Sequence, residues 1–68
     1  MNMIPVSSSN LQAVGYDGET LRIQFRSGGI YDYYNVPAFV YNGLMNAPSK
    51  GSYHAAYIKN AYTYSRVR

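Results

Sequence analysis

The sequence predicts an α+β fold: a three-stranded antiparallel meander followed by two helices packed on one face, with an extended C-terminal arm. Three observations lead there. Leu21 to Arg26 alternates strictly, with Leu21, Ile23 and Phe25 on one side and Arg22, Gln24 and Arg26 on the other, the period of a half-buried strand. Turn residues bracket it, Asp17-Gly18 before and Ser27-Gly28-Gly29 after, as two consecutive hairpins require. Beyond Val36-Pro37 the apolar spacing changes from two to three and four, the mark of helix.

The elements follow in order. Met1 to Asn10 is Ser-rich and without periodicity, so residues 1–7 are expected as a flexible lead-in and 8–68 as a single domain. Leu11 to Tyr16 is the first strand, carrying Val14 and Tyr16 into a tight turn at Asp17-Gly18. After the Leu21–Arg26 strand, the second turn decides which way the third strand, Ile30 to Val36, points its tyrosines. A two-residue loop pairs odd positions with even and sends Tyr31 and Tyr33 to the arginine face. A three-residue loop with a left-handed glycine bulge pairs odd with odd and sends them to the Leu21/Ile23/Phe25 face. The second is preferred because it buries two large rings and sets Asp32 on the outer face near the arginines, at the cost of turning Ile30 and Tyr34 outward.

Val36-Pro37 starts a helix with proline at its first position, where the missing N–H does no harm. Phe39, Val40, Leu44 and Ala47 form its apolar stripe, interrupted by Gly43, which costs about 1 kcal/mol relative to alanine. Ala47-Pro48 stops it. Ser49 then caps a second helix, Lys50 to Asn60, with Tyr53, Tyr57 and Ile58 on its inner side. From Ala61 the chain alternates again, as a further strand or an extended arm, with Tyr62, Tyr64, Arg66 and Arg68 on one side.

Composition limits what this fold can do. A chain of 68 residues has room for one core, and with no cysteine it has neither disulfides nor thiolate metal sites. One histidine and three carboxylates do not supply a structural zinc site, so no metal and no cofactor is expected. No run approaches the roughly 20 apolar residues of a membrane span, and Met1 to Val6 lacks the pattern of a secretory signal, so a cytoplasmic protein is expected.

Charge and aromatic content are unevenly placed. Up to Asp32 the chain has Arg22 and Arg26 against Asp17, Glu19 and Asp32; from Tyr33 on it has Lys50, Lys59, Arg66 and Arg68 and no acid. Seven of the nine tyrosines lie in that acid-free half. Cations interleaved with rings suit a single-stranded nucleic acid, the cations meeting phosphates and the rings stacking on bases. Tyrosines of a small core with a wet edge give the same composition.

The order and spacing of certain fragments carry a resemblance. They are Ser8-Ser9, Val14-Gly15-Tyr16-Asp17, Phe25 with Gly28-Gly29, Tyr31-x-Tyr33, Val36-Pro37, Val40-Tyr41-x-x-Leu44, Ala47-x-Ser49-x-Gly51 and Ile58-x-x-x-Tyr62-x-Tyr64-x-Arg66. From about Ser8 to Val67 the chain resembles the KTSC domain, a small family found at the C-terminus of some lysyl-tRNA synthetases and as stand-alone bacterial and phage proteins. The resemblance implies RNA binding, the role usually suggested for the family. The family pattern often has a basic residue where this chain has Ser52, Ala61 and Ser65, and proline in place of Thr63, so this is a less basic version of it.

The candidate site residues are Arg22 and Arg26 on the outer sheet face, and Lys50, Lys59, Tyr62, Tyr64, Arg66 and Arg68 around the second helix and tail. Tyr31 and Tyr33 are either a core pair or a stacking pair. Ser49-Lys50-Gly51 reads as an ordinary helix cap, or as a phosphate site. His54 has no carboxylate at a defined spacing and reads as a partly buried helix residue rather than a catalyst, so no enzyme is expected. The function expected is a small binding module for tRNA or single-stranded RNA; the alternative is a protein-interaction module or homodimer anchored on exposed tyrosines.

Overall fold

In the computed structural model, which describes residues 1–68, the meander has five strands rather than three. They are β1 (Ile4–Pro5), β2 (Leu11–Tyr16), β3 (Leu21–Phe25), β4 (Ile30–Tyr33) and β5 (Tyr64–Arg66), hydrogen-bonded in sequence order and all antiparallel. Helix α1 (Ala38–Asn46), then α2 (Lys50–Tyr53) running directly into a π-helical turn (His54–Ile58), stand between β4 and β5. The α+β class and the helical layer on one face agree with the sequence; the number of strands does not.

The register of β3 and β4 follows the bulged-loop alternative. Leu21 pairs Tyr33 and Ile23 pairs Tyr31, with Gly28 at φ +112° making the left-handed corner. Tyr31 and Tyr33 therefore share a face with Leu21, Ile23 and Phe25. On the outer face Arg22 lies opposite Asp32, and its Nε and Nη2 donate to the two carboxylate oxygens at 2.7 and 2.9 Å. The first hairpin turns over four residues, not at Asp17-Gly18 alone, because Asp17 Oδ1 accepts from the N–H groups of Glu19 and Thr20 and holds the wider loop. A bulge at the start of β2 shifts its pairing between Leu11 and Ala13. Leu11 and Val14 thereby both reach the inner face, at odds with simple alternation.

The N-terminal segment expected as a flexible lead-in contains a strand, and the alternating tail forms one too. Ile4 and Pro5 pair with Val14 and Ala13, and Met1 and Met3 lie over Gly15, where a Cβ would stand 2.7 Å from Met3 Sδ. The expected C-terminal arm is instead β5, with Tyr64 opposite Tyr33 and Arg66 opposite Tyr31. Backbone bonds extend the pairing at both ends, from Tyr34 N–H to Thr63 O and from Val67 N–H to Ile30 O.

The helices differ in detail. Pro37, at φ −71° and ψ 156°, is the N-cap of α1 and not its first residue, so the buried stripe is Val40 and Leu44 while Phe39 is 74% exposed. Ser49 caps α2 as expected, its Oγ accepting from Ser52 N–H. The chain then widens, Lys59 N–H bonding to His54 O, five residues back. That turn rotates Tyr57 out to 60% exposure and drives Ile58 fully into the core. Val40, Leu44 and Ile58 close over Leu11, Val14, Leu21, Ile23, Tyr33 and Val36. Neither helix is long and apolar enough to cross a membrane.

Candidate functional site

The helical layer closes over Leu11 and Val14 of β2, Leu21 and Ile23 of β3 and Tyr33 at the end of β4, and it leaves a gap on the inner face beside β5, where Tyr31 is only part-buried and Tyr64 half exposed. Since β3, β4 and β5 pair in register, Phe25, Tyr31, Tyr33 and Tyr64 project side by side into that gap. The π-turn supplies the opposite wall with His54, followed by Lys59, and Ser27 of the hairpin loop stands at the rim. Together they line a cleft of about 280 Å³ without a single carboxylate.

Most of the rings meet edge to face rather than stacking. Phe25 lies 5.7 Å from Tyr31 at 80° and 5.1 Å from His54 at 68°, and Tyr33 lies 5.5 Å from His54 at 73°. Tyr64 is inclined over Tyr31 and Tyr33 at 5.9 and 5.6 Å and is itself half exposed. Arg66, two residues further along β5, holds its guanidinium carbon 5.8 Å from the centre of the Tyr31 ring, a cation–π contact. A Cβ on Gly29 would stand 2.8 Å from the Tyr31 ring, so the bare backbone there gives that ring its place.

The polar groups of the wall are tuned by burial. Tyr33 Oη is hydrogen-bonded to His54 Nε2 at 2.8 Å. Burial, with Tyr64 and Tyr31 adding to it, pushes the Tyr33 hydroxyl up to about 12. Burial, with the Lys59 ammonium adding to it, holds the His54 imidazole below its ordinary 6.5, so it is neutral at pH 7. The cleft thus offers rings, a neutral hydroxyl–imidazole pair and two nearby cations. No group of three His, Cys, Asp or Glu side chains is placed to hold a metal.

Of the eight residues singled out in the sequence, Lys59, Tyr64 and Arg66 come together here. The other five lie elsewhere. Arg22 is committed to Asp32, and Arg68 borders a depression on the outer face with Arg22, Met3 and Val67. Arg26 Nε donates to Ser8 O at 2.7 Å, Lys50 Nζ donates to Ala47 O, and Tyr62 packs half-buried against the core. Phe25, Ser27 and His54 were not among the eight. Phe25 was legible, since the odd-with-odd register puts it beside Tyr31; His54 needed the π-turn. Tyr31 and Tyr33 lie on the inner face as the core reading has it, Tyr33 buried and Tyr31 part-buried, and both rings bound the cleft.

The architecture is a five-stranded meander with a helical layer on one face and an aromatic cleft at the sheet edge. Residues 7–62 match the KTSC domain, and the chain belongs to that family. A lysine–tRNA ligase of Nostoc sp. is 45% identical over 49 residues, and one of Trichormus variabilis 43% over the same length. These matches take in 72% of this chain and only 9% of each ligase. A protein of Stutzerimonas stutzeri is 36% identical over 98% of this chain and 99% of its own. The crystal structure of a KTSC domain protein from Yersinia pestis superposes with a TM-score of 0.94, at 36% identity over 98% of this chain and 97% of that one.

Proposed function

We propose that this chain is a non-enzymatic module that binds single-stranded RNA across the β4–β5 edge. One observation carries the reading: β5 brings the alternating Tyr64 and Arg66 into register with Tyr33 and Tyr31, beside Lys59. Rings that accept any base and cations that meet phosphates are the two parts of a single-strand surface. The name of the ligase relatives supports an RNA partner, since a tRNA is what such an enzyme acts on.

Because only Lys59 and Arg66 flank the cleft, the electrostatic contribution is small. For two phosphates neutralised on a single strand, log K falls with log salt at a slope of about −1.4, where four engaged cations would give about −3. Fluorescence anisotropy with a labelled tRNA and a mixed-sequence single strand, at two salt concentrations, measures it. No binding at low salt, or affinity indifferent to salt, overturns the reading.

A second reading has its own observation. Phe39 and Tyr57 stand 74% and 60% exposed on the helical layer, away from the cleft, as anchors of a protein interface would. Sedimentation across a hundredfold range of concentration decides it: a rising mass supports self-association through this layer, and a constant monomer mass rules out the homodimer.

A further inference from the structure

We infer that the cleft takes one unpaired nucleotide of the bound strand, its base inserted against Tyr64 and Tyr31 and its phosphate held by Lys59 and Arg66. The inference rests on the RNA-binding reading above and gives the cleft its ligand.

The geometry selects a small planar guest. Away from the cleft, Tyr16 and Tyr41 stack at 4.6 Å and 14°. The cleft rings are turned out of stack, Phe25 and His54 meeting their neighbours at 68° to 80° and Tyr64 tilted at 53° to Tyr31 and 36° to Tyr33, and they enclose about 280 Å³, just under the usual range for small-molecule sites. That volume suits a single small guest. Tyr64 contributes the accessible π-face, being 53% exposed while Tyr33 opposite it is 4% exposed.

Charge then selects what the ring must carry. Aromatic cages for ammonium ligands work through the negative faces of their rings. Here Lys59 lines the cleft and Arg66 already lies over Tyr31, so a cationic guest is repelled. The absence of any carboxylate from the lining points the same way. A neutral planar ring bearing an anion satisfies both halves of the site, and the nucleotide unit of a strand is that chemistry. The Tyr33–His54 pair at the wall and the Ser27 hydroxyl at the rim are the groups that can meet the polar edge of a base.

Two measurements on the full chain test this. In the first, aromatic NMR signals of Tyr31, Tyr64 and His54 are followed on titration with uridine and adenosine 5′-monophosphates and, separately, with ribose 5-phosphate. The nucleotides are expected to shift all three rings, and the sugar phosphate to leave Tyr64, the ring that meets the base, unmoved. In the second, a labelled single strand is bound to Tyr64→Leu and Lys59→Gln. Tyr64→Leu is expected to lose roughly 5- to 150-fold in affinity, the worth of one base stack, with the salt slope unchanged. Lys59→Gln is expected to shallow that slope by about 0.7. Unmoved Val14 and Ile23 methyl signals in Tyr64→Leu establish that its core is intact. If the strand binds while the cleft signals stay still and Tyr64→Leu binds as tightly as the parent, base insertion is overturned and the RNA reading stands. If no strand binds at all, the RNA reading falls and this inference with it.

Discussion

Tyr33 and His54 show how single side chains serve the core and the cleft together. His54 is held below its ordinary 6.5, so between that value and its folded-state value the unfolded chain binds a proton that the native state does not. Stability is therefore complete above pH 6.5 and falls as pH drops through that window. Denaturant unfolding at pH 7.5 and pH 5 should show the fall in the parent and a smaller one in His54→Gln. Tyr33 works at the other end of the scale. Its hydroxyl is pushed from 10.0 up to about 12, so the unfolded chain loses this proton first and stability declines as pH rises from 10 toward 12. Tyr33→Phe should flatten that alkaline decline, and at pH 7 should cost about 1–2 kcal/mol for the lost hydrogen bond. Arg22 is the counter-example among the cations. Its guanidinium, raised above its ordinary value chiefly by the hydrogen bonds to Asp32, is one half of a partly buried pair. Arg22→Gln should lower stability by about 1–2 kcal/mol in urea unfolding and leave RNA affinity within a factor of two. The bulged-loop register read from the sequence places Asp32 near the arginines, and the observed pairing sets it opposite Arg22.

At the scale of elements, what could be read was what local chemistry decides. The β3–β4 register followed from loop length and the burial of two rings, and the Ser49 cap followed from its place after Ala47-Pro48. What could not be read was decided by distant partners. No strand pattern marks β1, and the alternation from Ala61 leaves β5 open between strand and arm; pairing with a neighbouring strand decides both. The π-turn is similar: helical spacing put Tyr57 inside, but seating Ile58 and His54 against the sheet requires one residue more per turn. Gly43 joins the two helices. Alanine there would ordinarily add about 1 kcal/mol of helix stability, yet its Cβ would stand 2.7 Å from Cζ of Tyr53. Gly43→Ala should therefore gain nothing in the parent and about 1 kcal/mol in a Tyr53→Ala background. A double-mutant cycle in urea would show a coupling near 1 kcal/mol, and additivity would refute the contact.

The whole molecule answers the question its size raises. A cysteine-free chain of 68 residues closes its core by spreading one sheet over five strands and laying tyrosines around the rim, within 25 × 24 × 23 Å. The same construction divides the charge. The surplus in the acid-free half is not one basic surface: Lys59 lines the cleft, Lys50 Nζ donates to Ala47 O, and Arg68, whose carbonyl accepts from Arg66 Nε at 3.1 Å, borders the outer-face depression. How β5 joins the sheet has a kinetic consequence. Tyr34 and Ser65 meet across 31 positions of chain that contain both helices, whereas β2, β3 and β4 are joined by short hairpins. The local meander can form early, but β5 must wait for a large loop to close, and its closure is the step that builds the cleft. The same pairing should be the first to open. The amide protons of Tyr34 and Val67, bonded across β4 and β5, should exchange with deuterium faster than that of Ile23 in the centre of the sheet. Saturating RNA should slow those two selectively, because a guest that bridges Tyr31 and Tyr64 binds only while the seam is shut. The cleft is in this sense a clasp, and occupancy would be written in the lifetime of one seam of hydrogen bonds rather than in any change of shape.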